Sequence, residues 1–227
     1  MLSKICTIER DFGQPVADRL PYVLMRPSTI LVDGLFSSYR KKEEDKNMKQ
    51  PLIKRIKREL EYSGTILDFY SDYMELPDGK IHKYDYVEHR KGAAAVIPVL
   101  PDGRILLVRQ YRNALERFTL EIPAGARDSK TEPTIECAAR ELEEETGYRC
   151  ENLEFLLSLR TTVAFCNEMV EVFVARELAP SSQHLDEGEF IDLEPHTLEE
   201  LCDLIYQGII QDAKTVAAIM AYKNKYC

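Results

Sequence analysis

The sequence predicts an α+β fold, a mixed sandwich of sheet and helix. Three observations lead there. The elements read along the chain come as strands, one helix, more strands and then two helices, an order that fits segregated layers better than a doubly wound sheet. The chain has 227 residues, 44% of them hydrophobic, which is enough to bury a real core in one domain with an appendage. No run of about 18 apolar residues occurs, and in MLSKICTIERDFGQP charges interrupt the apolar residues too early for a signal peptide. The expectation is a soluble, cytoplasmic protein with no membrane partner.

Residues 1 to 60 carry 13 basic and 8 acidic groups, a balance of +5, against −14 on the rest of the chain. They form a basic N-terminal extension ahead of an acidic body at 61 to 227. Within it, RKKEEDKNMKQ reads as a solvated linker and PLIKRIKREL as the start of a short amphipathic helix. A nucleic-acid-binding arm is the less favoured reading. Six scattered cysteines, Cys6, Cys137, Cys150, Cys166, Cys202 and Cys227, lack metal or redox spacing and are expected as reduced, mostly buried thiols.

From Gly64 the pattern becomes strand-like. ILDFYSDYMEL and IHKYDYVEH flank Pro77-Asp78-Gly79, turn chemistry that predicts a hairpin. AAAVIPVL, the turn Pro101-Asp102-Gly103 and ILLVRQY predict a second, more buried hairpin, and FTLEI a short strand. Pro133 opens a helix that runs to Thr146 before Gly147, a natural C-terminal stop. Strands are expected at Leu153 to Leu159, Met169 to Ala175 and Glu189 to Leu193. Thr197 and Glu200 form a capping box for a helix through Gln207, ended by Gly208, and Asp212 opens a last helix.

The helix segment Arg140-Glu141-Leu142-Glu143-Glu144-Glu145-Thr146-Gly147 carries the chemical signal. Glu141 stands one turn from Glu144 and Glu145, so three carboxylates share a face. Their repulsion calls for a cation, and Mg²⁺, which takes carboxylate oxygens and keeps positions open for phosphate, would resolve it. Taken alone, a solvated acidic face is the commoner meaning of a Glu run. The surroundings reverse that preference: Glu121-Ile122-Pro123-Ala124-Gly125 delivers a strand into a Gly turn, followed by a short loop and Glu132.

These residues resemble the Nudix box: Gly, five residues, Glu, seven residues, then Arg-Glu-apolar-any-Glu-Glu-any-Gly-apolar. Glu132, Arg140, Glu141, Leu142, Glu144, Glu145, Gly147 and Tyr148 fill their positions. Gly125 stands one residue too far from Glu132, with Ala126 at the strictly counted position, which reads as a one-residue loop insertion. The resemblance implies a Nudix hydrolase, an α/β/α sandwich preceded here by the extension and an antiparallel strand hairpin. It implies a metal-dependent pyrophosphatase using Mg²⁺ or Mn²⁺ on a nucleoside diphosphate derivative. By matching position, Glu141 and Glu145 would be the main metal ligands, Glu144 a third with a catalytic share, and the Ala124 carbonyl another. Gly125, Glu132, Arg140 and Gly147 would be structural.

Over roughly Gly64 to Tyr226 the chain is similar to the ADP-ribose pyrophosphatase branch, through Val87-Glu88-His89, ILLVRQYR, LEIPAG and Gln211-Asp212-Ala213-Lys214-Thr215. That likeness implies that Arg112 contacts substrate phosphate and that the catalytic base comes from the loop HLDEGEF, Glu187 first and Glu189 in reserve. It implies a homodimer formed through N-terminal strands, with Tyr62, Phe69, Tyr70 or Tyr73 as stacking residues for the base. Where the branch carries a Pro-Gly specificity loop, this chain has Val163-Ala164. The expected reaction is cleavage of ADP-ribose or a related nucleoside diphosphate sugar to a nucleoside monophosphate and a sugar phosphate. The rivals are another nucleotide substrate (a damaged nucleoside diphosphate, a dinucleoside polyphosphate or capped RNA) and a non-catalytic nucleotide-sensing module.

Overall fold

The computed structural model describes residues 52–186 and 188–227. In chain order the strands are β1 Lys54–Ser63, β2 Leu67–Glu75, β3 Ile81–His89, β4 Ala93–Pro98, β5 Ile105–Arg112, β6 Arg117–Glu121 and β7 Ala124–Ala126. Helix α1 is Thr134–Thr146, and β8 Tyr148–Arg149, β9 Leu153–Arg160, β10 Met169–Ala175, β11 Ala179–Pro180 and β12 Ile191–His196 follow. Helices α2, Leu198–Tyr206, and α3, Ala213–Tyr226, close the chain.

The segment expected as an amphipathic helix is strand β1, which begins ahead of the residue-61 boundary. Ile53, Ile56 and Leu60 suit a helical stripe, but the antiparallel partner β2 decides the outcome. Arg58 donates to Asp72 of β2 through Nε and Nη2, each at 2.6 Å. The β2–β3 hairpin forms as expected, with Gly79 at φ +80° in its turn. Linker residues 40–50, Pro51 and Cys6 lie outside the described residues. Of the five described cysteines, all free, only Cys137 and Cys202 are buried and Cys227 is exposed, so the expectation of mostly buried thiols does not hold.

The second expected hairpin does not form. Its turn is present, but among the described residues only one bridge, Val99 to Ile105, joins the two arms. Strand β4 pairs in parallel with β10 and antiparallel with β7, whereas β5 pairs with β6 and β12. The first arm is almost wholly buried and the second is buried at Ile105 to Val108 and Gln110, and a buried strand needs a partner on each edge, so the arms part into two sheets.

The mixed sheet β7-β4-β10-β9 is covered on both faces, as side-chain alternation requires. Ala95, Ile97, Val170, Val172 and Val174 join Leu201, Ile210, Ala218 and Ile219 of the α2–α3 side in one core. Ala94, Val96, Phe173 and Ala175 face the opposite way, against Cys137, Ala138 and Leu142 of α1. The result is the helix-sheet-helix sandwich. Helix α2 has its capping box between Thr197 and Glu200, and α3 is capped by Asp212, which accepts from Thr215 N–H at 2.9 Å. No helix among the described residues is long and apolar enough to cross a membrane.

Candidate active site

Helix α1 and the short strand β7 build the site. Pro133 precedes the helix and Gly147 ends it at φ +69°. Leu142, fully buried, fixes the rotation of α1 against the sheet. Glu141 and Glu145 are therefore turned inward and are only 8% and 4% exposed, while Glu144 stays half-buried.

Each box residue has a definite partner. Ala124 N–H donates to Glu145 Oε2 at 3.0 Å, tying β7 to the helix. Arg140 Nη1 donates to Glu141 Oε1 and Glu144 Oε2, both at 2.8 Å, and Arg140 Nη2 donates to the Ala126 carbonyl at 3.0 Å. Glu132 closes the loop containing the extra residue by accepting from Asp128 N–H at 2.5 Å, with Arg140 Nε 3.4 Å from its other oxygen. A Cβ at Gly125 would overlap the tip of the Glu141 side chain, so it is Gly125, rather than Ala126, that leaves room for that carboxylate.

Burial pushes the Glu141 carboxyl up to about 7 against the pull of Arg140, with Glu144 and Glu189 adding repulsion. Burial followed by the charge of Glu141 pushes Glu145 up to about 8, with a further contribution from Glu189. Carboxyls in this condition are short of positive charge. Among the described residues no three His, Cys, Asp or Glu side chains stand as a ready cation cage; Glu141 and Glu144 turn onto Arg140 instead. The donor set still fits a divalent cation, because inward-facing hard oxygens lie together on a rigid helix.

Beside the box lies a cleft of about 360 Å³, lined among others by Ala124, Gly125, Arg112, Lys214, His89 and Glu168. Arg112 donates to Glu121 through Nε at 2.8 Å and Nη2 at 2.7 Å. His89 accepts from Gly92 N–H at Nδ1, 2.9 Å away, and its Nε2 lies 3.8 Å from Glu168. His89 and Lys214 stand in the sequence with no assigned role, and neither has a local spacing signal, since β3 and α3 reach the cleft only through the tertiary fold.

The segment that leads into the loop expected to hold the base, Ser181 to His184, docks on the end of α1. Ser181 N–H donates to Gly147 O at 2.6 Å, His184 N–H to Glu144 O at 2.9 Å, and Gln183 Nε2 to Glu145 O at 2.7 Å. These bonds satisfy carbonyls that a helix end leaves open. Glu189 lies close enough to disfavour ionisation of Glu141 and Glu145, while Glu187 lies outside the described residues. Of the aromatic candidates, Tyr62 is exposed, Tyr70 packs with Tyr86 at 6.0 Å, and Tyr73 lies between Lys57 and Lys83. Val163 is exposed.

A match to the NUDIX domain model spans residues 89–219, which places box, cleft and docked loop inside one known family. The chain belongs to the NUDIX domain family. It is 41% identical over 180 residues to an ADP-ribose pyrophosphatase of Bacillus subtilis, covering 78% of this chain and 96% of that one. It is 42% identical over 168 residues to a methanol dehydrogenase activator of Bacillus methanolicus, covering 73% and 90%. A crystal structure of an ADP compounds hydrolase superposes with a TM-score of 0.70 at 25% identity, over 79% of this chain and 96% of the other.

Proposed function

We propose that the protein hydrolyses the pyrophosphate bond of ADP-ribose or a related nucleoside diphosphate sugar, releasing a nucleoside monophosphate and a sugar phosphate. The observation that carries this reading is the adjoining of two buried, inward-facing box carboxylates, Glu141 and Glu145, to a cleft walled by Arg112. Similarity to an ADP-ribose pyrophosphatase along most of both chains supports the substrate class.

Glu141, Glu145, Glu144 and the Ala124 carbonyl would hold Mg²⁺ or Mn²⁺, which when bound neutralises pyrophosphate and acidifies water. Arg112 binds the phosphate side, its guanidinium preset by Glu121. Arg140 orients Glu141 and Glu144. Glu187, with Glu189 in reserve, accepts the proton of the attacking water. Exposed Ile56, Leu60, Tyr62 and Tyr84 on the β1-β2-β3 sheet support a homodimer through these strands. The acidic balance, −9 over the whole chain, disfavours nucleic acid as partner, and a cytoplasmic location accords with the free thiols.

The test is release of nucleoside monophosphate, with divalent cation, from a panel of ADP-ribose, other nucleoside diphosphate sugars, dinucleoside polyphosphates and oxidised nucleotides. Preference for a nucleoside diphosphate sugar is expected. Preference for another member would reassign the substrate, and silence across the panel would favour a sensing module.

A further inference from the structure

Two cations meet on one buried carboxylate at the wall of the cleft. Glu121, with a side chain only 4% exposed, accepts from Arg112 Nε and Nη2, from Thr119 Oγ1 at 2.7 Å and from Lys214 Nζ. Lys214 also donates to Asp212 Oδ2 at 3.0 Å. Asp212 is fixed as the cap of α3, and Thr215 Oγ1 both donates to it at 2.6 Å and accepts from Ile122 N–H at 3.0 Å. The first turn of α3 is thereby pinned to the chain that leads into Ala124 and Gly125.

Donor counting shows what remains for a ligand. A guanidinium has five N–H donors and Glu121 takes two; an ammonium has three, and Glu121 and Asp212 take two. Both groups line the cleft with donors to spare. A fork and a point charge, side by side and already ordered, suit the several oxygens of a diphosphate. We propose that Lys214 is a second phosphate-binding residue beside Arg112, and that Glu121 is the positioning residue that holds both at the cleft. This rests on reading the cleft as the pyrophosphate site.

Steady-state kinetics on the nucleoside diphosphate sugar that the wild type turns over best provides the test. Lys214→Gln is expected to raise KM about tenfold with kcat changed less than about threefold, and Lys214→Arg to recover most of the loss. Glu121→Gln is expected to raise KM as well, with the double variant less than additive. A wild-type KM in folded Lys214→Gln would overturn this inference and leave the proposed function standing. Absence of wild-type turnover on every such sugar would instead remove the function and this inference together. Where a melting curve shows Lys214→Gln unfolded, amine acylation of Lys214 in the wild type, followed by peptide mass, decides the matter. Saturating pyrophosphate with divalent cation is expected to slow that acylation at least about fivefold, and an unchanged rate would overturn the assignment.

Discussion

The carboxylate of Glu141 lies against the backbone of Gly125 so closely that any side chain at 125 would occupy its space. The missing side chain at 125 thus leaves the space that the inward-turned Glu141 carboxylate occupies. Gly125→Ala should displace Glu141, cost about 1–3 kcal/mol of stability by overpacking and reduce kcat/KM by more than tenfold, roughly. Ala126→Gly, one residue on, should change kcat/KM little. Thermal melts and kinetics on the pair check the contrast, and equal behaviour would place the required glycine elsewhere.

Glu145 has its charge disfavoured by burial and by Glu141. A neutral isostere therefore costs the metal-free fold little, while removing a ligand. Glu145→Gln should retain the wild-type melting temperature within a few degrees and nearly abolish turnover. Wild-type rates at limiting divalent cation would show that the metal assignment is wrong.

The docked loop depends on Gly147, where φ is +69° and a Cβ would press on Gln183 N. Gly147→Ala should cost about 1–2 kcal/mol from the left-handed conformation. It should also loosen Ser181 to His184, lowering kcat more than metal affinity. A kcat equal to that of wild type would separate the loop from catalysis.

Within that loop, Glu187→Gln should lower the rate by about a hundredfold or more with metal binding intact, since a general base contributes on that order. Glu189→Gln should have the smaller effect. Reversal of the two would move the base to Glu189, which is already close enough to raise Glu141 and Glu145.

Glu121 links stability to pH. Burial raises its carboxyl, but the Arg112 hydrogen bonds and Lys214 outweigh this and hold it at about 2, below the ordinary 4.5. A carboxyl lowered in the fold stabilises above its unfolded value and loses that contribution as pH falls from 4.5 towards 2. Wild type should lose stability over this window, and Glu121→Gln should lose less. Parallel curves from denaturant titration at successive pH values would contradict the link.

Much of this was legible from residue order. Caps and stops follow local chemistry, so Gly147, the Thr197–Glu200 box and Asp212 stand as the sequence predicts. Of the three carboxylates that the spacing on α1 put on one face, Glu141 and Glu145 are buried together, whereas Glu144 stays half-buried against Arg140. What escaped depends on partners distant in sequence. The apolar strands around Pro101-Asp102-Gly103 carry no mark of whether they pair with each other or part, and PLIKRIKREL satisfies helical and strand periods alike until β2 is beside it. Glu121 and Lys214, 93 positions apart, meet only after α3 packs on the sheet.

The central claim is cation-dependent cleavage at the buried box carboxylates, and ADP-ribose hydrolysis by wild type and Glu145→Gln, each with Mg²⁺ and with chelator, tests it most directly. AMP and ribose phosphate should appear only for wild type with Mg²⁺. Undiminished cleavage in chelator, or by Glu145→Gln with Mg²⁺, would contradict it.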